Sequence, residues 1–65
     1  MSRFKKGDKV KIRYDASSPY WGKLGIIEKD PVFEFGGFSY KVKLDLNGFP
    51  VVSQFMENDL ENIKN

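Results

Sequence analysis

Hydrophobic and polar positions alternate with period two in two separate stretches. From Lys9 to Tyr14, Val10, Ile12 and Tyr14 fall on one side and Lys9, Lys11 and Arg13 on the other. From Phe38 to Asp45, Phe38, Tyr40, Val42 and Leu44 oppose Ser39, Lys41, Lys43 and Asp45. Successive side chains of a β-strand point to opposite faces, so each stretch predicts a strand with one buried side. Phe4, just ahead of the first, is expected to fold over one end of the core, with Gly7-Asp8 as the turn between them.

Between these strands the pattern is less regular. Asp15-Ala16-Ser17-Ser18-Pro19-Tyr20-Trp21 reads as a loop, because its residues are small or turn-forming and Pro19 biases Ser18 to extended geometry. Gly22 to Phe35 reads as one strand that bends. Leu24, Ile26 and Ile27 are its apolar residues, and the adjacent isoleucines break the alternation as at a bulge or where a strand turns from one sheet to the other. Gly25 inside a strand predicts a close backbone approach. No Gly-Lys-Ser/Thr follows Gly22 and Gly25, so they do not form a phosphate loop. Pro31 indicates a sheet edge, and Phe33 and Phe35 lead into Gly36-Gly37, a hairpin signal. Asn47-Gly48 is a stronger one, because both residues tolerate positive φ; it predicts a further strand over Val51 to Phe55, opened by Pro50. In Glu57-Asn58-Asp59-Leu60-Glu61-Asn62-Ile63, Asn58 or Asp59 can start a single 3₁₀ turn that faces Leu60 and Ile63 inward. Ile63 alternatively belongs to a brief fifth strand.

These elements describe an all-β fold: a small, SH3-like, five-stranded, partly open antiparallel barrel with a terminal 3₁₀ turn. An OB-fold is the second choice, although it usually needs a longer chain with a helix between strands. The 65 residues form one domain with an ordered core over about 4–63, closed around Val10, Ile12, Ile26 or Ile27, Val42 and Leu60. A chain this short buries only about 60% of its unfolded surface, so a deep substrate cavity is not expected.

Composition narrows the chemistry. There is no Cys and no His, which removes disulfides, thiolate metal sites, the usual zinc ligand and the usual general base at neutral pH. Ser17, Ser18, Ser39 and Ser53 have no His partner, and the nine carboxylates fall on surface positions without a cavity. The expectation is a protein that is not an enzyme and has neither cofactor nor metal. Met1-Ser2-Arg3-Phe4-Lys5-Lys6 is charged and no apolar run follows, so no signal peptide, membrane span or membrane partner is expected; with the absence of Cys, a cytoplasmic location fits. Net charge is +2, unevenly spread: residues 1–27 hold seven basic against two acidic side chains, and the remainder four against seven. That asymmetry allows a basic face, although interleaved strands can equally mix the charges.

Gly7-Asp8-Lys9-Val10-Lys11-Ile12, followed by Gly22-Lys23-Leu24-Gly25-Ile26-Ile27-Glu28, resembles the start of KOW-type SH3-like domains and, equally, the barrel of the nitrile hydratase β subunit. Phe55 to Ile63 resembles the closing run of the PsaE subunit of photosystem I, whose first loop carries a Ser-Tyr-Trp comparable to Pro19-Tyr20-Trp21. The last two, with the variable chain of ferredoxin-thioredoxin reductase, form the electron transport accessory group. The resemblance implies an accessory module that docks on a larger, acidic, possibly redox protein. Tyr20, Trp21 and Lys23 would anchor it, with Lys9, Lys11, Arg13, Lys41 and Lys43 complementing the partner's charge. Tyr20 and Trp21 can also be read simply as caps on the barrel. The KOW-like alternative is nucleic-acid or ribosome binding by the same lysines, with the loop aromatics for stacking. Glu28, Asp30, Glu34 and Asp45 dilute the positive field and favour the protein partner. A third reading, the oligomeric type II dihydrofolate reductase, would place Val52-Ser53-Gln54-Phe55 on that family's Val-Gln-Ile-Tyr run, but a glutamine displaced by one faces the other side of its strand. Oligomeric state is left open.

Overall fold

A computed structural model describes residues 3–14 and 19–63; Asp15 to Ser18 of the first loop, with its Ser17 and Ser18, and Lys64 lie outside the described residues. The strands are β1 (Lys9–Ile12), β2 (Leu24–Ile27), β3 (Val32–Glu34), β4 (Gly37–Leu46), β5 (Phe49–Met56) and β6 (Leu60–Asn62), with a 3₁₀ turn at Glu57–Asp59 before β6. All pairings are antiparallel. One edge of β4 carries β2 and β3 end to end, and the other carries β5. β1 lies between β2 and β6. β2 and β3 are thus two halves of one bent strand, and the sheet curls into the partly open, five-stranded SH3-like half-barrel that the alternation predicts.

The concave side holds Phe4, Val10, Ile12, Ile27, Tyr40, Val42, Leu44, Phe55 and Leu60, all buried. Gly25 sits on β2 directly opposite Leu44 of β4. A Cβ there would come within 2.6 Å of Val42 Cγ1, 2.7 Å of Leu44 Cδ2 and 2.9 Å of the Lys43 carbonyl oxygen. Only hydrogen fits, so the close approach expected of this glycine is what the packing of β2 against β4 and its inward side chains requires.

Four details differ from the sequence reading. Gly25 and Ile27 face inward while Leu24 and Ile26 are 60% and 46% exposed, so β2 alternates regularly and has no bulge; Gly25 holds the inward position that a larger residue cannot. β1 stops at Ile12, and Tyr14 is 67% exposed rather than core. The Ile12 N–H donates to the Lys23 carbonyl and that of Arg13 to the Asp59 carbonyl, both at 2.9 Å, so pairing runs one residue past β1 and Tyr14 falls beyond it. Tyr14 then lies over Gly22, where a Cβ would meet its hydroxyl at 2.7 Å. The first hairpin turns at Phe35-Gly36, not Gly36-Gly37, with Phe35 at φ 55°. Finally, β5 starts at Phe49, and Pro50 is its second residue.

The parity of β4 explains the turn. Leu46 and Phe49 flank the two-residue Asn47-Gly48 turn, so the even-numbered residues of β4 direct their N–H and C=O groups to β5. The odd-numbered ones face the other edge, where the Lys41 carbonyl accepts the Glu28 N–H at 2.7 Å. A tight hairpin with β3 must therefore close on Gly37; Phe38 presents its groups to the wrong neighbour.

Candidate functional site

The outward positions of β1, β2 and β4 form one continuous surface. Ile26 is paired with Lys9 on one side and Lys43 on the other, and Lys43 in turn with Val52. The next row runs Glu61, Lys11, Leu24. Adjacent strands are about 4.8 Å apart, which puts Lys9 and Lys43 about 10 Å apart with Ile26 between them. Leu24 and Ile26, with Lys9, Lys43, Asp45 and Ile63, line a shallow hollow here. Two exposed aliphatic side chains flanked by long cationic ones make a surface that can exclude water at its centre and attract carboxylates at its rim.

The residues expected to bind a partner separate into groups. Lys9 and Lys43 border the aliphatic centre, and Lys11 is half-buried beside Leu24. Lys41 faces outward further along β4, paired with Gln54. Arg13 lies beyond the end of β1, half-buried, its backbone fastened to Asp59. Lys23, at the entrance to β2, is exposed. Tyr20 and Trp21 part company: Tyr20 packs against the core as a cap, whereas Trp21 is 54% exposed. Lys23 directly precedes Leu24 in the chain, and Lys11 places its ammonium 5.3 Å from the centroid of the Tyr14 ring.

The acids are distributed so that this face stays basic at its centre. Glu34 is held at the far end of β4, where its carboxylate accepts from the Ser39 hydroxyl at 2.5 Å and the Gln54 amide at 2.8 Å. Asp30 accepts the Lys6 N–H at 3.3 Å. Asp45 and Glu61 border the face itself.

Nothing in the apolar run itself places Leu24 and Ile26 at the surface, because such a run reads as core. The signal lay in Gly25: once that glycine takes an inward position, its neighbours must point out. Among the described residues no cluster of three metal-ligating side chains occurs, and no helix is long and apolar enough to cross a membrane. Compared with protein-family models, curated proteins and solved structures, the chain matches none of them.

Proposed function

We propose that the protein is a non-catalytic binding module that docks on a larger, acidic protein through the outer face of β1, β2 and β4. The observation that carries this reading is Ile26, exposed between Lys9 and Lys43. An isoleucine there adds nothing to the core, while an apolar centre with a cationic rim complements an apolar patch ringed by carboxylates. The resemblance to the electron transport accessory group supplies the partner class, a redox protein or its carrier. The test is an NMR titration of the labelled protein with an acidic ferredoxin as the probe. Shifts centred on Lys9, Leu24, Ile26 and Lys43 that weaken with added salt are expected, and Ile26→Asp removes them. No shifts on this face at a ferredoxin concentration of about 1 mM, where even weak encounters register, would overturn the reading.

A second reading follows from Lys11 over Tyr14 together with exposed Trp21 and Lys23, which offer cations and exposed rings. That combination suits stacked bases and phosphates, as the KOW-like resemblance implies. A generic single-stranded oligonucleotide would then shift Tyr14, Trp21 and Lys23, with affinity falling steeply as salt rises; a flat titration at low salt disposes of it.

A further inference from the structure

The outer edge of β5 is an unfilled row of hydrogen-bonding groups. Because Leu46 and Phe49 flank a two-residue turn, Val51, Ser53 and Phe55 direct their backbone groups to β4. The N–H groups of Val52, Gln54 and Met56 and the C=O groups of Pro50, Val52 and Gln54 then point the other way. Among the described residues no strand lies beyond them. Protein edges of this kind are usually guarded by charge, by bulges or by shortness. β5 is eight residues long and carries no charged residue, and Pro50 is its only guard.

We propose that this edge pairs with the same edge of a second copy, antiparallel, about a two-fold axis at Ser53. In that register the Val52 N–H meets the Gln54 C=O of the second copy, Gln54 N–H meets Val52 C=O, and Met56 N–H meets Pro50 C=O. Symmetry repeats each bond, so every open donor and every open acceptor is used. Pro50, which has no N–H, lies opposite Met56, the residue that caps the 3₁₀ turn and whose carbonyl turns into it. Sliding the register by two residues leaves donors or acceptors unmatched in either direction. This self-matching, proline included, favours a second copy over a foreign strand, and the neutral strand brings no like charges face to face. The pairing would join the outer faces of two barrels into one sheet, with Lys41 and Lys43 of both copies on the same side.

Amide exchange and cross-linking test the proposal on the full chain. At about 10 µM, Val51, Ser53 and Phe55 amides are protected by β4 while those of Val52, Gln54 and Met56 exchange freely; at about 1 mM the second set slows by roughly tenfold or more. The chain has no Cys, so single substitutions report the register cleanly. Ser53 faces its own copy as a non-hydrogen-bonded pair with Cα atoms about 4.5 Å apart, within disulfide reach. Ser53→Cys therefore cross-links under mild oxidation roughly tenfold faster than Val52→Cys, although Val52 is the more exposed position. Sedimentation as a monomer at about 1 mM, a dimer that leaves those three amides unprotected, or equal cross-linking rates would each overturn it.

Discussion

The Tyr40 hydroxyl donates to the Glu57 carboxylate at 2.8 Å, tying the middle of β4 to the 3₁₀ turn. The same oxygen accepts the Phe4 N–H at 3.3 Å, while the Tyr40 ring meets that of Phe4 edge-on at 5.5 Å. One buried side chain thus fastens the N-terminal segment, the central strand and the closing turn. Tyr40→Phe keeps the ring and removes the hydroxyl, leaving the Phe4 N–H and one Glu57 oxygen without it. The expected loss is about 2 kcal/mol in urea unfolding, with the slope unchanged. Glu57→Gln, which still offers an oxygen to the hydroxyl, costs about half as much.

Gly25→Ala probes the close packing where β2 pairs with β4. The added methyl meets two core side chains and the Lys43 carbonyl, and the carbonyl belongs to a ladder that cannot yield. A loss of about 3 kcal/mol is expected, the upper range for overpacking. Thermal unfolding measures it.

Ile26 and Ile27 are neighbours with opposite fates. Ile27→Ala opens a cavity in the core and costs about 3 kcal/mol, whereas Ile26→Ala changes stability by less than about 0.5 kcal/mol. Equal losses would show that β2 does not alternate as described. Denaturant titration of the pair decides it.

Phe35 occupies a turn position that suits asparagine or glycine, at φ 55° and 89% exposed. A large L-residue is strained in that left-handed region. Phe35→Asn creates the Asn-Gly pair favoured in two-residue hairpins and stabilises the fold by about 1 kcal/mol, a rise of several degrees in Tm. Calorimetry checks it.

Much of the candidate face could be read from the chain, but its arrangement could not. The outward direction of Lys9, Lys11, Lys41 and Lys43 follows from alternation in two strands whose inner residues are unambiguous. That Lys9 and Lys43 flank Ile26 follows from the register of β2 between β1 and β4, which no local pattern encodes. Tyr14 fits the period of β1 yet lies exposed in a turn beyond the strand's last pairing bond, from Arg13 to Asp59.

Local patterning settles the class of fold: period two sets which residues are buried, and Asn47-Gly48 sets a hairpin through positive φ at both positions. Long-range pairing settles where the other hairpin turns and which side of β2 is core. Both depend on β4, whose backbone groups face alternate neighbours: once Asn47-Gly48 commits the even-numbered residues to β5, the odd-numbered ones set the register of β2 and β3. A local signal such as Gly36-Gly37 gives way to that parity, because a turn one residue away would leave the ladder's donors and acceptors facing the wrong strand.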